Sequence, residues 1–217
     1  PNPLGGVRLE GAPQRPGFRS FVGLFDVPVR HGMTIGEVVA WRAREESLAN
    51  VTVVPMRAWG RSMRWGDTGL PWVLPSPNMP TVDTAVVYPG GCLLEGTNLS
   101  EGRGTTRPFE VFGAPWVDAA ALAAAMEADG GGGFVARAMS FRPMFQKHAG
   151  VTCQGVQVHV TDARAFAPYR AWLAALRACR RFEGFRWRTE RYEFVDEVPA
   201  IDLLTGDGAV REGLDAG

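Results

Sequence analysis

Hydrophobic and polar positions alternate along this chain in short runs cut by glycine and proline. The runs predict an ordered series of elements. Phe18–Phe25 reads as a strand. Thr34-Ile-Gly-Glu37 has the spacing of a capping box, in which the Thr34 hydroxyl takes the backbone N–H of Glu37 and the Glu37 carboxylate reaches back. The helix it opens extends to about Leu48 with Ile35, Val38 and Val39 facing inward, and Val51–Met56 follows as a buried strand. Residues 60–84 lose periodicity and gather Gly66, Gly69 and several prolines, which places a domain junction near Arg64. Beyond it, Ala85–Leu94 reads as a strand and Asp118 as the N-cap of an alanine-rich helix to about Asp129. Val135–Phe141 and Gly155–Val160 read as strands, the second alternating Val156, Val158 and Val160 with Gln157 and His159. Ala165–Arg180 carries Phe166, Tyr169, Leu173, Leu176 and Cys179 on one helical stripe.

Glu95–Glu110 breaks this pattern. Its sixteen residues hold three carboxylates, two arginines, one Asn, four hydroxyls and three glycines, between the apolar segments Val86–Leu94 and Phe109–Trp116. Burying so many polar groups without partners costs several kcal/mol each, of the order of ~2–7 kcal/mol. An ordered polar loop is what fits, with glycines that let the backbone approach something polar. A hydrogen-bonded network that only ties two elements together is the simpler alternative.

Charge narrows the partners. Lys and Arg number 23, as do Asp and Glu, so no global field favours nucleic acid or an anionic membrane. Nearly all the cations are arginine, with Lys147 the single lysine. No apolar run is long enough to span a bilayer. Cys92, Cys153 and Cys179 lack metal-ligand spacing, and the three histidines form no HxH or HExxH pattern, so no metal is expected.

The stretch Glu95-Gly-Thr-Asn-Leu-Ser-Glu-Gly-Arg-Gly-Thr-Thr-Arg-Pro-Phe-Glu110 resembles the signature of the NamZ family of bacterial exo-β-N-acetylmuramidases. Other blocks agree in order: Pro1-Asn-Pro-Leu-Gly-Gly6, Ser20-Phe-Val-Gly23, Pro28-Val-Arg-His-Gly-Met-Thr-Ile-Gly-Glu37, Pro75-Ser-Pro-Asn-Met-Pro-Thr81, Tyr88-Pro-Gly90, Gly113-Ala-Pro-Trp116, Phe141-Arg-Pro143 and Gly155-Val-Gln-Val-His-Val160. The resemblance runs from the first residue to about Gly213. It implies an α/β protein in which residues 1–64 are the tail of a Rossmann-like layer and residues 65–217 a second, α+β domain, with the site in the cleft between them. It also implies a fragment, because the Pro-Asn-Pro block falls mid-protein in the family. The parent would be periplasmic or secreted. It would hydrolyse terminal non-reducing N-acetylmuramic acid from peptidoglycan fragments, such as N-acetylmuramic acid–N-acetylglucosamine, without a cofactor.

Candidate site residues follow. N-acetylmuramic acid carries a lactyl carboxylate, which an arginine fork can hold; Arg103 between two glycines is the first candidate, with Arg30 and Arg142 behind it. Arg30 and His31 precede a helix N-terminus, and His159 lies on the polar side of a strand. Asn98 supplies a planar amide, and Trp72 and Trp116 are candidate stacking platforms. His31, Asn98, Glu101 and Arg103 are expected to line one concave surface. Glycoside hydrolysis commonly uses two carboxylates. Glu95, Glu101 and Glu110 are the local supply, and Glu101 is the candidate catalytic group. The family's proposed catalytic glutamate belongs to an upstream Pro-Glu-His-Gly-like motif absent from this sequence, so a non-catalytic muropeptide-binding module stays open beside the enzyme.

Overall fold

The structure is a computed structural model that describes residues 2–216; Pro1, the first residue of the Pro-Asn-Pro block, lies outside them. Among the described residues six α-helices and three strands run in the order α1 (Ile35–Glu45), α2 (Val82–Gly91), β1 (Val111–Ala114), α3 (Ala119–Asp129), β2 (Phe134–Phe141), β3 (Cys153–Val160), α4 (Pro168–Cys179), α5 (Ala200–Thr205) and α6 (Ala209–Ala216). The strands form one antiparallel sheet in the order β1-β3-β2, with Phe112 opposite Val156 and Ala136 opposite Val158. The fold is mixed α/β. Helices α2, α3 and α4 pack with the sheet around a core of Val87, Phe112, Leu122, Met126, Val156, Trp172 and Leu176.

Several elements follow the sequence closely. Thr34 and Glu37 form the reciprocal capping box. Asp118 caps α3 by accepting the N–H of Ala121. The amphipathic α4 begins with Pro168 in its first turn, where the missing N–H costs nothing.

Three expected strands do not form. Ala85–Leu94 is α2 followed by a tight 3-10 turn, Cys92–Gly96. The Thr81 hydroxyl accepts the N–H of Thr84 and starts this helix. Its run of valines faces packing on nearly every side, and a short apolar run in such a place reads the same whether helix or strand. Gly90 explains how close α2 comes to α4: a Cβ there would collide with the Pro168 carbonyl oxygen. Phe18–Phe25 contributes only an isolated bridge, Ser20 to Gly23, and Val51–Met56 is irregular, without a ladder partner among the described residues.

Residues 2–64 have no buried hydrophobic side chain of their own; the first in the chain is Ala85. Polar straps attach this segment to the core instead. The Glu10 carboxylate holds the buried Arg30 guanidinium on one oxygen and the Tyr169 N–H, at 3.0 Å, on the other. Arg8 donates to the carbonyls of Ala165 and Phe166, and Gln14 to that of Leu203.

Candidate active site

The polar loop is ordered by its own side chains. The Thr97 hydroxyl donates to Leu94 O and accepts the Leu99 N–H, and Ser100 exchanges both backbone hydrogen bonds with Gly113. Gly102 and Gly104 adopt φ of 73° and 84°. A Cβ on Gly102 would meet the Val111 carbonyl oxygen, and one on Gly104 the backbone of Phe145, so only glycine fits either side of Arg103.

Arg103 is the centre of a buried line of alternating charge. Its Nη2 lies 2.6 Å from Glu95 Oε1, and its Nε lies 3.2 Å from Glu101 Oε1. Glu101 Oε2 stands 3.1 Å from Lys147 Nζ, an ion pair without hydrogen-bond geometry, while that ammonium donates to Leu94 O at 3.0 Å. At the other end the Tyr192 hydroxyl donates to Glu95 Oε2 at 2.8 Å. The Arg103 guanidinium also lies 5.3 Å from the centre of the Phe109 ring. Burial works to lower the pKa of Arg103, but Glu95 and Glu101 outweigh it and the value rises. For Lys147 burial prevails over Glu101 and the pKa falls.

A cavity of about 430 Å³ opens over the Glu95 end of this line. His31, Tyr88, Glu95, Arg103, Tyr192 and Glu193 supply its polar groups, and Val22, Leu24, Phe25, Val27 and Leu204 much of its apolar wall. Burial lowers the His31 pKa, which keeps the ring neutral at pH 7. His31 Nδ1 accepts the Met33 N–H at 3.1 Å, so the proton sits on Nε2 as a donor. Burial, then neighbouring Cys92 and Glu95, raises the Tyr88 pKa; burial and Glu95 raise that of Tyr192. Both phenols stay protonated. Glu193 enters on a tight turn in which it and Phe194 have φ of 47° and 71°, an uncommon conformation for non-glycine residues that clusters at functional sites.

The remaining candidates are dispersed. Arg30 is a buried strut on Glu10. Asn98 is used at both ends of its amide, Nδ2 donating to Gly184 O at 2.8 Å and Oδ1 accepting the Arg186 N–H at 2.9 Å. It borders a second cavity rather than the first. Glu101 lies beneath the first cavity, facing Arg103 and Lys147, and is not part of its lining. His159 borders a third, smaller hollow with Arg107 and Glu110, and Arg142 is exposed at the end of β2. Trp72 donates to Met79 O, and Trp116 packs on Phe182 and Phe185; neither lines the first cavity. Tyr192 and Glu193 carried no signal in the sequence, since they reach the cavity from nearly one hundred positions beyond Glu95 by a turn that no local pattern announces.

Known proteins resemble this arrangement from end to end. Two sequence models of one family match consecutive parts of the chain: "Exo-beta-N-acetylmuramidase NamZ, N-terminal" over residues 1–83 and "Exo-beta-N-acetylmuramidase NamZ, C-terminal" over residues 86–217. The chain belongs to the NamZ family. A NamZ relative from Bacillus subtilis (strain 168), named peptidoglycan beta-N-acetylmuramidase NamZ, is 44% identical over 218 residues, covering 100% of this chain and 51% of the relative. The chain therefore spans about half the length of the curated relative it matches. Crystal structures of two DUF1343 family proteins from Bacteroides fragilis NCTC 9343 share the fold. One has a TM-score of 0.84 at 31% identity over 98% of this chain and 56% of that one; the other has 0.65 at 27% over 100% and 56%. In this NamZ-family chain the signature loop Glu95–Glu110 thus contributes Glu95 and Arg103 to the lining of the first cavity.

Proposed function

We propose that the chain forms the substrate-holding half of an exo-β-N-acetylmuramidase acting on terminal N-acetylmuramic acid of peptidoglycan fragments, with the N-acetylmuramic acid–N-acetylglucosamine disaccharide as its smallest natural unit. The observation that carries this reading is the Glu95 carboxylate, fixed by Arg103 and Tyr192 at the edge of a cavity with a neutral His31 donor. A sugar ring presents hydroxyl edges and an apolar C–H face. Glu95, Glu193 and His31 suit the first, and the Phe25, Tyr88 and Tyr192 rings suit the second. The name of the Bacillus subtilis relative supports the choice of substrate.

Glu95, and not Glu101, is the carboxylate we assign to substrate, because Glu95 lines the cavity whereas Glu101 faces Arg103 and Lys147 outside that lining. Arg103 acts first by fixing Glu95, and its exposed edge is the group we assign to the lactyl carboxylate. The Pro-Glu-His-Gly-like motif is absent here, so this stretch by itself binds without cleaving, which is the sense in which a binding module describes it. In a longer protein, α1 and residues 51–56 would cover a Rossmann-like sheet. Ile35 and Val54 are 84% and 86% exposed, which supports such a partner for this face. A peptidoglycan substrate supports a periplasmic or secreted location for the parent.

Hydrolysis of chromogenic β-N-acetylmuraminide and β-N-acetylglucosaminide by a protein of the relatives' full length tests the assignment. Release from the muraminide alone is expected. Equal release from both, or from neither, contradicts it.

A further inference from the structure

A second cavity, about 530 Å³, lies on the other side of the signature loop from Glu95. Its walls include Lys147, His148, Arg186, Trp187, Arg188 and Glu190. Asn98 joins two of these walls. Its amide grips Gly184 and Arg186, its backbone N–H donates to Arg186 O, and its carbonyl accepts His148 Nε2 at 2.8 Å. Arg188 N–H donates to Gly96 O, so the segment carrying both arginines is zipped to the loop. Gln146 and His148 are held at φ of 67° and 58° on either side of Lys147, a strained setting that rigid surroundings maintain.

The charges here are unevenly used. Lys147 is matched by Glu101. Arg186 donates only to the carbonyls of Glu183 and Phe185, and Arg188 to that of Arg191 while its face lies 4.9 Å from the centre of the Tyr192 ring. Among the described residues neither guanidinium has a carboxylate within ion-pair distance, although Glu190 shares the cavity and is itself unpaired there. Two open guanidiniums, one open carboxylate and an indole wall suit a zwitterion with an aliphatic body. A compact dianion such as phosphate would meet Glu190 as a repelling neighbour.

We propose that this cavity binds a short peptide bearing a carboxylate and a free amine, the carboxylate held by Arg186 and Arg188 and the amine by Glu190. The peptide linked to the lactyl group of muropeptides has this chemistry. The inference rests on the muramidase reading for the choice of probe and on the cavity for everything else.

The probe is N-acetyl-L-alanyl-γ-D-glutamyl-L-lysine, a capped tripeptide whose one free amine is the lysine ε-amine, free of sugar and titrated calorimetrically into the 217-residue chain, with amide spectra to locate it. Saturable binding that shifts the signals of residues 186–190 is expected. Arg186→Ala with Arg188→Ala should weaken it about 10-fold or more, the scale of charge-assisted hydrogen bonds. Those side chains also brace backbone carbonyls, so Glu190→Gln gives an independent reading. It should weaken the tripeptide several-fold and leave its ε-N-acetyl derivative unchanged. Absence of binding at 10 mM (an upper limit of about −2.7 kcal/mol by the usual conversion), phosphate binding as tightly as the tripeptide, or shifts mapping to His31 and Phe25 of the first cavity would each overturn the proposal. Failure here leaves the sugar assay above untouched, since no sugar is in the probe.

Discussion

Glu95 and Arg103 are joined at 2.6 Å across one turn of the signature loop, and Arg103 is held at the same time by Glu101. The arginine that the sequence singles out for substrate recognition is therefore also the brace of the loop. A charged group left without its partner in a mostly buried place costs about 3–5 kcal/mol, less where solvent reaches it. Arg103 keeps about a quarter of its side chain exposed.

Arg103→Ala should accordingly destabilise the chain by about 2–3 kcal/mol, measured by denaturant unfolding. Arg103→Lys should recover less than half, because one ammonium cannot span both carboxylates. A loss below about 0.5 kcal/mol, the ordinary surface value, would mean the ion pairs do not hold the loop.

Glu110 offers a second test of how the loop is anchored. It is buried, accepts the Thr84 hydroxyl at 2.7 Å and that of Thr81 at 3.2 Å, and lies 3.4 Å from Arg107 Nη1. Thr84→Val keeps the shape and removes the donor; it should cost about 1.5–3 kcal/mol, as for a hydrogen bond to a charged group. Thr84→Ser retains the hydroxyl and should restore most of it. A loss in Thr84→Ser with little in Thr84→Val would point to packing of the methyl group instead.

Stability should fall on the alkaline side. Burial pushes the Cys92 and Cys179 thiols from the ordinary 9.0 up to about 12, and raises the Tyr88, Tyr169 and Tyr192 phenols above 10.0. The unfolded chain then loses protons that the folded chain keeps. Their stabilisation is complete below pH 9 and is lost as pH climbs, first for the thiols and from pH 10 for the phenols too. Each protected group contributes up to about 1.4 kcal/mol per pH unit. Unfolding of the Cys92→Ala and Cys179→Ala variants between pH 8.5 and 10 should show a shallower decline than the parent. Parallel curves would contradict this.

The exposed face of α1 can be examined in chains of two lengths. Ile35→Gln with Val54→Gln should change the stability of the 217-residue chain by no more than about 0.5 kcal/mol, since both side chains already meet water. In a protein of the relatives' length the pair should cost about 3 kcal/mol or more if a Rossmann-like sheet covers them. The same small effect in both would remove the proposed partner.

What the sequence disclosed depended on how local the signal was. The Thr34 and Asp118 caps, the stripe of α4 and the alternation of β3 are encoded within a few residues, and each element stands where expected. α2 was hidden because Val86 and Val87 have strand propensities that burial on several sides overrides. Val51–Met56 has a strand's composition and no neighbour to pair with. The signature loop announced a site, and His31 and Arg103 do share its cavity. Asn98 and Glu101, only a few residues away, turn to other tasks, because in a tight loop successive side chains leave in different directions. Tyr192 and Glu193 join through a long-range contact that no spacing encodes.

The most direct test of the account is the hydrolysis of a chromogenic β-N-acetylmuraminide by a protein of the relatives' length in which Glu95 is changed to Gln, with circular dichroism to establish that it folds. Glu95 is assigned to substrate at the edge of the cavity, where Arg103 and Tyr192 fix it. The account predicts a fall in kcat/KM of about 10-fold or more, the scale of a lost hydrogen bond between substrate and a charged group, and Tyr192→Phe should give a smaller fall in the same direction. A folded Glu95→Gln protein with unchanged kcat/KM would show that the substrate is not held at Glu95.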